Sequence, residues 1–136
     1  MINNLKTKTE NILLIDDEES CLISMRMFLR DSEYNLVTAI NANEAWKVLN
    51  ESRLPIELIF LDLMLPDIYG IDFLIKIKQD KNFSSIPVIL QTGSSNWEEI
   101  KKAKDLGAIS CIRKPYNREI LLKIIKKTLS HQELVH

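Results

Sequence analysis

The sequence predicts one α/β domain in which five strands alternate with five helices around a parallel sheet. Three observations predict it. Apolar runs of strand length recur along the chain, each followed by a stretch with helical periodicity. Two of these runs end in aspartate, and capping or turn residues stand at several junctions. The chain has 136 residues, the size of a single ordinary domain.

Residues 11–16 (NILLID) form a continuous apolar run ending in acid, as expected of a strand buried on both faces. A helix follows from Glu18 to Arg30, with Leu22, Met25 and Leu29 on one stripe and Ile23 and Met27 widening it. Residues 34–40 (YNLVTAI) read as the second strand. Asn41 and Glu44 have capping-box spacing and open a helix through Trp46, Val48 and Leu49. Residues 56–62 (IELIFLD) are the third strand, again ending in aspartate. The loop LMLPDIYG leads into a helix over 70–80 that carries Phe73, Leu74 and Ile77. Residues 86–92 (IPVILQT) are the fourth strand, with Pro87 tolerable only at its start. Ser95 and Glu98 have the spacing of a second capping box, and the helix they open ends near Gly107. Residues 108–113 (AISCIR) are the fifth strand. Asn117 caps a last helix whose Ile120, Leu121, Ile124, Ile125 and Leu129 form its apolar stripe. The domain is therefore expected over 11–130, between a leader at 1–10 and a short tail at 131–136.

Composition excludes several functions. Hydrophobic residues are 46% and charged residues 27%, with three Gly and four Pro, which rules out a low-complexity chain. Eighteen basic and nineteen acidic residues give a net charge of −1, so no nucleic-acid or anionic-membrane face is expected. No apolar run approaches the roughly 20 residues of a membrane span. The first ten residues lack the apolar core of a signal peptide, which predicts a cytoplasmic protein. Cys21 and Cys111 make no CxxC spacing and read as reduced thiols. Both histidines, His131 and His136, fall in the last six residues and read as tail residues, which leaves carboxylates, hydroxyls and lysine for the chemistry.

Open parallel sheets carry their function beyond the carboxyl ends of the strands. There the sequence supplies Asp16 and Asp17 after strand one, Asp62 after strand three, Thr92 after strand four and Lys114 with Pro115 after strand five. Central strands lie only about 5 Å apart, so these groups are expected to converge. Three converging carboxylates call for a cation, and a hard ion such as Mg²⁺ suits them. Carboxylate nucleophile, hard metal, lysine and hydroxyl together suit phosphoryl transfer.

The segments LLIDDEE (13–19), IFLDLMLPDIYG (59–70), ILQTGSS (89–95) and GAISCIRKPY (107–116) together resemble the receiver domain of two-component response regulators, over residues 10–130. The resemblance implies a flavodoxin-like three-layer fold with strand order 2-1-3-4-5. It implies that Asp62 accepts a phosphoryl group from a phosphohistidine on a sensor histidine kinase or phosphotransfer protein. Asp17 would be a direct Mg²⁺ ligand and Asp16 would contribute mainly through water, with Asp62 and the backbone carbonyl of Met64 completing the protein ligands. Thr92 and Lys114 would contact phosphoryl oxygens, with a cis Lys114–Pro115 bond. The switching face would be the fourth helix, fifth strand and fifth helix, acting on a downstream protein or on an effector domain outside this sequence. Such a chain is a signalling switch rather than an enzyme acting on external substrates.

The sequence departs from the family pattern at Cys111, where receivers commonly carry Tyr or Phe, so the usual threonine–aromatic coupling between Thr92 and that position is not expected. The bland reading of Cys111 is a small, half-buried apolar residue. Gly93 replaces a more usual alanine. Met64 and Ser94, two residues past Asp62 and Thr92, are not suited to orienting an attacking water, which predicts slow autodephosphorylation. Trp97 reads equally as a partner anchor or as core packing, and Trp46 as packing. The competing readings are a degenerate receiver acting as a phosphorylation-independent module, a Mg²⁺-dependent phosphohydrolase and an FMN-binding protein. DDEES in place of DxDx[TV] disfavours the phosphohydrolase, and the lack of a Gly/Ser/Thr-rich loop after strand one disfavours FMN.

Overall fold

A computed structural model describes residue 8, residues 10–93 and residues 96–135, with 131–135 described through their backbone only. The order along the chain is β1 (Glu10–Ile15), α1 (Glu19–Leu29), β2 (Tyr34–Ala39), α2 (Ala42–Glu51), β3 (Leu58–Asp62), α3 (Gly70–Gln79), β4 (Val88–Thr92), α4 (Trp97–Asp105), β5 (Ser110–Arg113) and α5 (Arg118–Val135). All four strand pairs are parallel, and the sheet runs β2-β1-β3-β4-β5. This is the order the resemblance implies. The helix of α5 continues to Val135, past the point where the sequence reading placed a tail.

The apolar runs owe their continuity to the two layers they separate. Leu13, Ile15, Ile59, Leu61, Val88 and Leu90 face one core with Phe73, Leu74 and Ile77 of α3 and Ala103 of α4. The alternate residues Ile12, Leu14, Leu58, Phe60 and Ile89 face the other core, with Met25 and Leu29 of α1 and Leu121 and Ile125 of α5. A period of two across a sheet covered on both faces needs apolar residues at both phases. Each such side chain contributes roughly 1.5–3 kcal/mol of burial, which offsets the polar groups buried at the sheet edge.

Three helix expectations change in detail. Ile23 and Met27 of α1 are exposed, because the helix buries only the row through Met25 and Leu29. Ile120 of α5 is likewise exposed, and Leu122 packs inward in its place. The cap of α4 is Asn96, whose side chain accepts from the N–H groups of Glu98 and Glu99 at 3.0 and 3.3 Å. The predicted cap, Ser95, lies outside the described residues, as does Ser94. The caps at Asn41 and Asn117 form as expected, accepting from Glu44 N–H at 2.7 Å and Ile120 N–H at 2.8 Å. Gly107 closes α4 with φ of 118°, a conformation that favours glycine.

Trp46 packs edge-on against Phe73 and Phe83, with the Lys76 ammonium 4.3 Å above its ring. Trp97, in contrast, is 78% exposed at the start of α4, so it is no part of the core. No helix among the described residues is long and apolar enough to cross a membrane.

Candidate functional site

Parallel pairing in register carries the strand ends to one edge. The ladder extends past the strands themselves, with Asp16 N–H donating to Ala39 O at 3.0 Å and Lys114 N–H to Thr92 O at 2.9 Å. Asp16, Asp62 and Thr92 are thereby buried at the top of the sheet, while Asp17 is exposed above them. Carboxylate oxygens of Asp16, Asp17 and Asp62 all lie within 4.8 Å of one another. Asp16, Glu18 and Cys21 form a second group of the same span.

Lys114 reaches into the first group. Its Nζ stands 2.7 Å from Asp16 Oδ2, 3.2 Å from Asp62 Oδ2 and 3.1 Å from Glu18 Oε1. Burial alone would lower the pKa of this ammonium, but Asp16, Asp62 and Glu18 together hold it above the ordinary lysine value. Burial raises the pKa of Asp62. Lys114 opposes that shift, Asp16 reinforces it, and the net direction is upward. Two carboxylates no more than 4.8 Å apart repel by at least about 3 kcal/mol at an effective dielectric of 20, so one ammonium leaves this edge short of positive charge. Hard oxygen donors with a charge deficit fit a hard divalent cation, with Asp16, Asp17 and Asp62 the residues placed to hold it.

The turn after β3 is built to hold Asp62 still. Met64 N–H donates to Asp62 Oδ1 at 3.2 Å, and Gly70 N–H donates to Leu63 O at 2.7 Å. Met64 and Tyr69 pair as an isolated antiparallel bridge. The Met64 side chain is 71% exposed, so its thioether stands at the rim of the site. Asp67 in the same loop accepts from the N–H groups of Ala42 and Asn43 at 3.0 and 2.9 Å, anchoring the loop to the start of α2. The Tyr69 hydroxyl donates to Glu99 of α4. That bond, with burial second, pushes the Tyr69 pKa up to about 12.

These groups open into a cleft of about 820 Å³, floored by Asp62, Thr92 and Lys114 and walled by Cys21 of α1 and by Tyr116. The Lys114–Pro115 bond is cis. Cys111 is half-buried against the core on the α3 and α4 side, and burial pushes its thiol pKa up. It is packed as the small apolar residue the sequence suggests.

Gln91 and Tyr116 were not singled out by the sequence. Gln91 is fully buried one residue before Thr92, and its Nε2 donates to Asp16 Oδ2 at 2.6 Å. The Tyr116 hydroxyl donates in turn to Gln91 Oε1 at 2.9 Å. The one available signal is a polar residue inside an otherwise apolar strand, ILQT.

Comparison with known proteins identifies the family. Response regulator Rre1 of Synechocystis sp. is 32% identical over 124 residues, covering 90% of this chain and 53% of that protein. A putative response regulator NtrX-like of Rickettsia felis is 33% identical over 119 residues, covering 86% of this chain and 24% of that protein. The chain thus spans about half the length, or less, of these curated relatives. The crystal structure of a response regulator receiver domain protein (CheY-like) from Methanospirillum hungatei superposes with a TM-score of 0.84 at 28% identity, covering 93% of this chain and 98% of that one. Residues 12–126 match the family model described as the response regulator receiver domain, and the chain belongs to that family.

Proposed function

We propose that this receiver works in the cytoplasm as a phosphorylation-operated switch with Asp62 as its phosphoacceptor. One observation carries the reading: a carboxylate only 5% exposed faces the cleft, with an ammonium at 3.2 Å and two further carboxylates within 4.8 Å. An Asp62 oxygen attacks the phosphorus of a phosphohistidine on a histidine kinase or phosphotransfer protein. The P–N bond breaks, the imidazole leaves with the electron pair and takes up a proton, and an aspartyl phosphate results. Asp62 is held for this attack by Met64 N–H on one oxygen and Lys114 on the other.

Asp16, Asp17 and Asp62, with the Met64 backbone carbonyl, would hold Mg²⁺, which when bound supplies positive charge against the phosphoryl oxygens. Lys114 exchanges its carboxylate partners for a phosphoryl oxygen, and the Thr92 hydroxyl serves another. Thr92 and Cys111 stand at the paired switch positions, and with cysteine in the second the signal leaves the site without an aromatic rotamer. It reaches the face of α4, β5 and α5, and from there a downstream protein or an effector domain.

Intact-mass spectrometry after incubation with acetyl phosphate tests the reading. A single phosphoryl adduct is expected with Mg²⁺, and none with EDTA or in Asp62→Asn. Absence of both the adduct and Mg²⁺ binding in the unaltered protein would favour the phosphorylation-independent module.

A further inference from the structure

We infer that Gln91 is a positioning residue for this site: its amide holds the Asp16 carboxylate in place for the metal, and Tyr116 anchors the other end of that amide. The inference rests on the receiver reading above and adds to it a strand residue that the metal never touches.

Asp16 is fully buried, so each of its oxygens needs a donor. Oδ1 accepts from Glu18 N–H at 2.9 Å. Oδ2 takes two donors, Lys114 Nζ at 2.7 Å and Gln91 Nε2 at 2.6 Å. These two differ in what they can do. Lys114 is shared among Asp16, Asp62 and Glu18 and is the group that turns to an incoming phosphoryl oxygen. Gln91 is fixed in β4 by the ladder that pairs it with Asp62 and Ile112. When Lys114 turns away, Gln91 is the donor that stays on Oδ2.

An amide can present either end, and a flipped Gln91 would set its oxygen against the Asp16 carboxylate. The Asp16 carboxylate, which can only accept, excludes the flip, and the Tyr116 hydroxyl holds the other end of the amide by donating to Gln91 Oε1 at 2.9 Å. Burial, with the charges of Cys21 and Asp16 adding to it, keeps this phenol protonated well above its ordinary range. The chain Tyr116–Gln91–Asp16 therefore has one direction of donation. Groups that orient metal-binding residues in this way typically cost 10–100-fold in metal affinity when removed.

The test is Mg²⁺ titration by calorimetry on the unaltered protein, Gln91→Met and Tyr116→Phe, beside thermal unfolding without metal and acetyl phosphate labelling. Gln91→Met keeps the side chain's length and removes its amide. We expect its Mg²⁺ affinity to fall about 10–100-fold, with adduct formation recovering at saturating Mg²⁺. Tyr116→Phe touches neither Asp16 nor the metal, and its affinity should fall in the same direction by a smaller factor. It keeps the inference testable if Gln91→Met folds poorly. Affinities within about twofold of the unaltered protein in both variants, whatever their melting temperatures, would reduce Gln91 to a packing role and overturn the inference. An unaltered protein that neither binds Mg²⁺ nor forms an adduct overturns the phosphoacceptor reading itself, and the inference falls with it.

Discussion

Two glycines at the same edge of the sheet should answer the same substitution in opposite ways. A Cβ built on Gly70 meets only backbone: Leu63 Cα at 2.7 Å, Leu63 O at 2.9 Å and, closer still, the carbonyl oxygen of Asp62. None of these can rotate aside, so Gly70→Ala must push the start of α3 away from the turn that carries Asp62 and Met64. Overpacking costs about 1–3 kcal/mol, and a contact made wholly with backbone belongs at the upper end. Alanine returns roughly 0.5–1 kcal/mol as the better helix former, which leaves a net loss of about 2 kcal/mol. For a chain of this size that lowers the melting temperature by roughly 6–10 °C. Gly93, beside Thr92, is exposed, and a Cβ there meets nothing within 4 Å. Gly93→Ala should therefore melt within about 0.5 kcal/mol of the parent. Circular dichroism melts of the three proteins, with acetyl phosphate labelling alongside, measure both effects, and only Gly70→Ala should also lose labelling. Equal melts for Gly70→Ala and the parent would refute the close approach. Equal losses in both variants would mean that steric contact is not the cause.

Charge makes two further predictions. The folded pKa of Asp62 lies above its unfolded value, so ionising it costs stability. That cost is absent below the unfolded value of about 3.9, grows as pH rises through the folded value, and then stays constant. Asp62→Asn should accordingly match the parent in urea unfolding near pH 3 and be the more stable protein at neutral pH; a less stable variant at neutral pH would contradict this. The three tyrosines are also informative: Tyr34 is raised to about 12 by burial, Tyr69 to about 12 by Glu99, and Tyr116 further still by burial. An ultraviolet titration of the folded protein should show no tyrosine ionising near 10. In Glu99→Gln one should appear there, and its absence would deny the Tyr69–Glu99 bond.

What was legible in the sequence follows from how strongly burial constrains it. The strands at 11–16 and 56–62 could be read because a sheet covered on both faces needs apolar residues at both phases, and the aspartates that end them stand out for the same reason. Lys114, Thr92 and the acids could then be brought together by topology alone. Stripe width was not legible, since Ile23, Met27 and Ile120 are apolar yet sit one row outside what α1 and α5 bury. Three strands start later than their apolar runs, at Leu58, Val88 and Ser110, because hydrogen-bonded pairing rather than hydrophobicity sets the boundary. Gln91 is not legible because a single polar residue in a strand means nothing until its partners, Asp16 and Tyr116, are known to lie beside it. The loop acid Asp67 is illegible in the same way, since its role is set by α2, 25 residues before it.

Borohydride reduction tests the central claim most directly. It converts an aspartyl phosphate to homoserine with release of phosphate, and so marks the acceptor before peptide sequencing by mass spectrometry. After acetyl phosphate and Mg²⁺, homoserine is expected at position 62 and at no other aspartate. Homoserine at Asp16 or Asp17, or a phosphoryl adduct that leaves position 62 unreduced, would contradict the account.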